Sequence, residues 1–301
     1  MAPALKFRVH RCLAALSLGF WFATAPTLAA GRVADPALWV VRDADTTLYL
    51  FGTAHALPKD LVWFDKAVAR AFQASAELVL ELLPQDNPTA LAPRLLLLAL
   101  DPGGRTMAQR LGPEEHAAYV KLLDRIGLPA ALMEPMEPWF VSVTAAALIY
   151  GQAGLDASSG SEAVLARAAR RAGKPITALE TPEQQLSTLD AMPEAEQLAS
   201  LRKLIQNPDQ ALARVRQMVE HWARGDMDQT AQLLNETMAG APQTTRLLLR
   251  ERNLRWTAQL KERMGRPGVV FVAVGAGHLS GPDNLRDLLM RAGFRVERMR
   301  P

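Results

Sequence analysis

The sequence predicts an α/β fold in which a central, mostly parallel sheet carries large helical insertions. Three observations lead there. Short apolar strands recur along the chain and stop at a polar residue. Stretches with helical spacing separate them. One phrase, Gly-x-x-His, closes a strand near each end of the chain: Thr47-Leu48-Tyr49-Leu50-Phe51 runs into Gly52-Thr53-Ala54-His55, and Val269-Val270-Phe271-Val272-Ala273-Val274 runs into Gly275-Ala276-Gly277-His278. Open α/β sheets bind ligands in the crevice outside the carboxyl ends of their strands, which is where both imidazoles fall.

From the amino terminus, residues 1–30 place Lys6, Arg8 and Arg11 before an apolar run, 12–25, and close on Thr27-Leu28-Ala29-Ala30. That order of basic, apolar and small residues is the pattern of a secretory signal, and the apolar run is too short to span a bilayer. The sequence therefore predicts export, to the periplasm or the exterior, with cleavage near Ala29 or Ala30 and no stable membrane insertion afterwards. Removing three bases and no acids takes 34 basic residues to 31, against 31 acidic ones. A near-neutral mature chain gives no support to nucleic-acid binding. The single cysteine, Cys12, leaves with the segment. Without a thiol there is no disulfide, thiolate nucleophile or Cys-ligated zinc, so any metal must use His, Asp or Glu.

Residues 31–301 read as one domain. Residues 39–41 and 46–51 flank the polar spacer Arg42-Asp43-Ala44-Asp45, the pattern of a short hairpin. Residues 65–76 have helical spacing, with Ala67, Val68, Ala71 and Phe72 on one face, and a buried strand, Leu78-Val79-Leu80, follows and ends in Glu81. Strand, helix and strand in that length predict a right-handed crossover between parallel strands. A linker, 84–93, enters a helical section, about 92–150, broken at Asp101-Pro102-Gly103-Gly104, Gly112-Pro113 and the prolines 135 and 138. A second crossover takes helix 161–172 through Gly173-Lys174-Pro175 into strand 176–179, ending in Glu180. The helical section 182–264 precedes the strand before His278, and 282–291 and 294–299 read as a last helix and strand.

Four strand ends thus carry His55, Glu81, Glu180 and His278, which a parallel sheet gathers along one edge. A carboxylate at the end of a buried strand is costly unless paired, hydrogen-bonded or coordinated. Imidazole with carboxylate suits a divalent first-row metal, and such an ion activates water for hydrolysis. The plainer alternative is that each histidine caps its strand locally; recurrence of the phrase, together with Glu81, favours a shared site. His116 and His221 lack ligand spacing and read as surface or packing residues. Glu77 reads as solvated and Asp65 as a helix-end residue. No Gly-x-Ser-x-Gly elbow, P-loop or dinucleotide fingerprint is present.

Tyr49-Leu50-Phe51-Gly52-Thr53-Ala54-His55, Ala76-Glu77-Leu78-Val79-Leu80-Glu81, Arg252-Asn253 and Phe271-Val272-Ala273-Val274-Gly275-Ala276-Gly277-His278-Leu279 resemble the TraB/PrgY/GumN family, the GumN-like bacterial branch most nearly. Glu137-Pro138-Trp139, Gly154-Leu155-Asp156, Gly173-Lys174-Pro175-Ile176 and Leu179-Glu180-Thr181 fit as well. The resemblance implies a fold related to the Tiki metalloproteases, erythromycin esterase and the ChaN-like haem-binding proteins. It further implies His55, Glu81 and His278 as a metal or catalytic set, and Arg252 and Asn253 as a polar pair before the last long strand; in the leading reading Glu180, by its strand-end place, or Arg252 assists. Arg252 either stabilises an oxyanion or orients a carboxylate, or is a surface ion pair. Where many relatives carry an acidic Gly-Val-Asp pattern, this chain has Gly160-Ser161-Glu162, and Glu162 reads more simply as a first-turn acid favoured by the helix dipole.

These expectations leave three functions open. The first is an exported metal-dependent, peptidase-like hydrolase using Mn2+, Co2+ or Zn2+. The second is a metal-free hydrolase with His55 as general base and Glu81 setting its tautomer. The third is a peptide- or glycan-binding accessory protein on the same scaffold. A peptide or protein substrate is expected, with a glycan as alternative; substrate identity and oligomeric state are not legible.

Overall fold

The computed structural model describes residues 31–84 and 91–299. The expected export segment, with Cys12, and most of the expected linker lie outside the described residues. Eight strands are present among those described: β1 (Arg32–Val33), β2 (Leu38–Arg42), β3 (Thr46–Thr53), β4 (Leu61–Val62), β5 (Glu77–Leu80), β6 (Ile176–Ala178), β7 (Gly268–Gly275) and β8 (Arg295–Arg298). Six form the central sheet in the order β6-β5-β7-β3-β2-β8. The pairs β6/β5, β5/β7 and β7/β3 are parallel, while β2 runs antiparallel to both β3 and β8, so the expected mostly parallel α/β sheet is present. β1 and β4 form a small parallel pair of their own.

The hydrophobic pattern accounts for the layering. In β7, Phe271 and Ala273 face a core shared with Phe51, Leu78, Leu80 and the helix Lys66–Ala74, whereas Val270, Val272 and Val274 face a second core with Leu48, Leu50, Trp256, Leu260 and Leu289. A strand covered on both faces reads as a continuous apolar run because the period-2 alternation feeds two cores. The helix Lys66–Ala74 buries the four residues its spacing marks, Ala67, Val68, Ala71 and Phe72. A third core, with Met107, Tyr119, Leu123, Val141 and Leu201, lies among the helices. There Pro113 and Pro138 open the helices Pro113–Ile126 and Pro138–Gln152, where a missing N–H costs nothing.

One feature of the topology differs from the expected simple crossover. The chain leaves β3, forms the helix and returns as β5, but these strands are not neighbours: β7 lies between them. The last long strand of the sequence thereby fills the middle of the sheet, and its end falls between the end of β3 and the end of β5. Pairing also continues beyond β6, since Glu180 N–H donates to Glu81 O at 3.0 Å and sets the two acidic residues side by side.

The loop after β3 is sewn to the start of the helix Ser161–Arg171: Ser161 N–H donates to Ala54 O at 2.9 Å, and Ala54 N–H donates to Ser161 Oγ at 3.1 Å. Gly160 permits this approach, because a Cβ there would stand 2.1 Å from His55 O. Gly160→Ala must push the His55 loop away, and urea denaturation is expected to register a loss of about 1–3 kcal/mol, the usual cost of forcing extra volume into a packed site. Unchanged stability would contradict this contact.

Candidate functional site

The strand ends converge as the sequence predicts. Glu81, Glu180, Arg252, Asn253 and His278 are all buried. Gly275 N–H, at the end of β7, donates to Glu81 Oε1 at 2.6 Å, and a Cβ on Gly275 would meet that oxygen at 3.1 Å with the His55 and His278 rings just beyond. The strand end must therefore be bare for the carboxylate and both rings to close around it.

Arg252 holds this group together. Its Nη2 donates to Glu81 Oε2 at 2.7 Å and to Glu180 Oε1 at 2.6 Å, and its Nε donates to Glu180 Oε2 at 3.1 Å. Its Nη1 donates to Leu248 O and to His278 Nε2, each at 3.1 Å. The Trp256 ring lies 4.5 Å from the guanidinium carbon, and the Trp256 and His278 ring centroids are 4.4 Å apart. Of the alternatives the sequence left for Arg252, the surface ion pair is overturned: the residue is buried and orients two carboxylates. A five-residue π turn, Arg246–Arg250, directly precedes the helix Glu251–Met264 that carries it, and such wide turns recur at functional sites.

Hydrogen bonding fixes the form of His278. Asn253 Nδ2 donates to Asp283 O at 2.9 Å, which leaves Asn253 Oδ1 to accept from His278 Nδ1 at 2.7 Å. Nε2 then bears the lone pair that accepts from Arg252, so the ring is neutral. Burial first, then the charges of Arg252 and His55, bring its pKa to about 4 against the opposing pull of Glu81. Burial drives the Glu81 pKa up, but the charges of Arg252 and His55 and the Gly275 N–H outweigh it, and the carboxyl stays below its ordinary value. Burial also disfavours the charged Arg252, but its bonds and charge contacts with Glu180 and Glu81 prevail and the shift is upward.

His55 is the opposite case. Its Nδ1 lies 2.6 Å from Glu162 Oε1, which also accepts from Thr53 Oγ1 at 2.6 Å. The hydrogen bond and charge of Glu162 raise the His55 pKa to about 9. Because the side chain is 76% exposed, solvent screens part of that attraction. Glu162, and not Glu81 as the metal-free reading expects, is therefore the carboxylate that orients His55. Nε2 has no protein partner among the described residues, and the ring lines two cavities, of about 440 Å3 and 450 Å3, that share His55, Glu81 and Gln185.

The set His55, Glu81 and His278 does not fit a divalent ion in this arrangement. His278 has one free lone pair, and Arg252 occupies it. A fixed guanidinium charge in contact with two of the three donors also opposes a dication. Among the described residues no three His, Cys, Asp or Glu side chains are placed to hold a metal.

Glu162, Thr53 and Gln185 are the site residues that sequence reasoning missed. Glu162 does sit in the first turn of its helix, where a local explanation sufficed, and only the Gly160-Ser161-Glu162 phrase pointed further. Gln185 Nε2 donates to Glu180 Oε1 at 3.3 Å. Away from the site, His116 pairs with Glu134 and His221 lies near Asp226; neither lines the two cavities. Glu77 is not solvated as expected but accepts from Arg263 Nε at 2.5 Å. Asp65 stands at the start of its helix without a side-chain capping bond.

A sequence profile of the TraB/PrgY/gumN family matches residues 37–298. The chain is similar to the uncharacterized protein YbaP of Escherichia coli (strain K12), at 24% identity over 84% of this chain and 92% of that protein. It is also similar to an uncharacterized protein of Treponema pallidum (strain Nichols), at 22% over 84% and 80% of the two chains. Metalloprotease TIKI1 of Danio rerio is 27% identical over 86% of this chain and 62% of its own length. No solved structure gives a significant match.

Titration of the His55 ring by NMR is expected to give a pKa near 9, and Glu162→Gln, which removes the charge, to bring it down toward the ordinary 6.5. A wild-type ring titrating near 6.5 would contradict the pairing.

Proposed function

Because the chain belongs to the TraB/PrgY/gumN family, we propose that it is an exported hydrolase acting on a peptide or protein substrate at the junction of the two cavities. One observation carries this reading: His55, which lines both cavities with Nδ1 tied to Glu162, stands beside a buried Glu81–Arg252–His278 cluster. The peptide bond as target comes from the similarity to Metalloprotease TIKI1. Export rests on the order of basic, apolar and small residues in 1–30.

Hydrolysis of an amide needs a base for the water, positive charge for the oxyanion and an acid for the leaving nitrogen. Glu81, ionised at neutral pH, takes the water's proton as the oxygen bonds to the carbonyl carbon. Protonated His55 gives its Nε2 proton to the departing nitrogen as the C–N bond breaks, and Glu162 steadies the ring throughout. Proton transfer from Glu81 back to His55 through solvent closes the cycle. Arg252 supplies fixed positive charge close by, held without reorganisation by Glu180. Asn253 acts through His278, whose orientation it fixes.

A second reading is metal-dependent, with Mn2+, Co2+ or Zn2+ on His55, Glu81 and His278. It is favoured by the common approach of the three side chains to Gly275 and by the TIKI1 similarity, and it requires Arg252 to release His278.

The test is turnover of a peptide library by purified protein before and after metal removal. The metal-free arrangement predicts that activity survives chelation and that His55→Ala lowers kcat/KM by about 10²–10⁴-fold, the usual worth of a general acid. Loss on chelation with recovery on adding Mn2+, Co2+ or Zn2+ would establish the second reading, and tight binding without turnover would leave an accessory binding protein. With His55 as acid, kcat/KM is expected to fall as pH rises through about 9, where the ring loses its proton. A rise through that range would make His55 the base.

A further inference from the structure

The two cavities that meet at His55 and Glu81 have the same chemistry on both sides. The smaller is walled, beyond the junction, by Leu82, Leu83, Pro84, Ala157, Ala163 and Ala166, and among the described residues no polar side chain lines it there. The larger is walled by Val215, Met218, Leu234, Met238, Leu248 and Leu249, all of them partly exposed. Every charged side chain that lines either cavity belongs to the junction: His55, Glu81, Glu162, Arg252 and His278, the last neutral at rest. Charge is thus confined to the point where the two lobes join, and beyond it the larger lobe adds only the uncharged polar side chains of Tyr150 and Thr230 to its apolar wall.

Gln185 lies at that point and lines both lobes. Its amide nitrogen is committed to Glu180, while its carbonyl oxygen has no protein partner among the described residues. A backbone N–H of a bound chain matches such an acceptor.

From this placement we propose that the cleft takes an extended peptide segment with apolar side chains on both sides of the bond at the junction. The inference rests on the hydrolase reading for the cut itself but not for binding. A single acyl chain fills one lobe and leaves the other exposed. A glycan requires hydroxyl-matching groups along its path, which the smaller lobe lacks, and Trp222, the one tryptophan in the larger, is buried with its N–H given to Gly52 O at 2.7 Å. Apolar walls with a few convergent polar groups are the usual form of a specific pocket, and the two methionines let the larger lobe adapt to different side chains. The reaction consumes water alone: the C–N bond breaks, the hydroxyl oxygen joins the carbonyl carbon and a proton goes to the released amine.

Binding and cleavage are tested separately. Fluorescein-labelled decapeptides with four central apolar residues, and the same peptides with Asp or Lys on one side of the centre, are titrated by polarisation into full-length His55→Ala protein. The apolar peptide is expected to bind at least about tenfold more tightly than any charged version, since desolvating one charge in an apolar lobe outweighs such a margin. Ala163→Glu in one lobe and Leu234→Glu in the other, each added to that protein and checked for folding by circular dichroism, are each expected to weaken it about tenfold. Equal binding of the charged peptides, indifference to either lobe variant, or tighter binding of a cello-oligosaccharide would overturn the proposal. Apolar preference without wild-type turnover would support the cleft and refute the hydrolase, whereas wild-type turnover confined to charge-flanked peptides, read by mass spectrometry, would do the reverse.

Discussion

The site depends on one buried guanidinium. β5 and β6 end beside each other and deliver Glu81 and Glu180 to the same buried edge, where two carboxylates without a cation would repel and could not both stay ionised. Arg252 lies against both, forks onto Glu180 through two nitrogens and reaches His278 at the end of β7 with a third. The planar fork makes this arrangement available to arginine and not to lysine, whose point charge cannot serve three acceptors in fixed directions. Removing one member of such a buried group leaves charges unpaired, at a cost of about 3–5 kcal/mol. The cluster is therefore at once what keeps three strand ends together and what gives the cavity its charge.

From that constraint follows the contrast between the two histidines. His278 is enclosed, accepts from Arg252 and donates its Nδ1–H to Asn253 Oδ1, and burial and a neighbouring cation hold it neutral. His55 stands at the cavity mouth with a carboxylate behind it, which holds it protonated. Identical sequence phrases thus deliver the same side chain into opposite surroundings, and it is His55 and Glu81, the one held protonated and the other held ionised, that divide the acid and base roles.

Much of this was legible in the chain. The apolar strands and their polar ends gave the four residues of the rim, because a buried strand must stop where a charge begins. The order of strands was not legible: β7 separates β3 from β5 through pairings more than 190 residues apart, and no local pattern records them. Arg252 and Asn253 lie in a polar helix whose buried face also carries Trp256 and Leu260, and the family resemblance, not periodicity, marked them. Glu162 was assigned to its helix alone because a first-turn acid already has a local reason to exist, and its hold on His55 depends on a loop contact 107 residues away in sequence. The family membership holds across residues 37–298, so the geometry of this rim bears on relatives such as YbaP.

The most direct test of the central interaction is the tautomer and charge of His278, read from its ring nitrogens by long-range proton–nitrogen NMR between pH 5 and 8. The account predicts a neutral ring throughout, with the proton on Nδ1 and Nε2 shifted as an acceptor from Arg252. A ring that titrates near 6.5, or that carries its proton on Nε2, would contradict it.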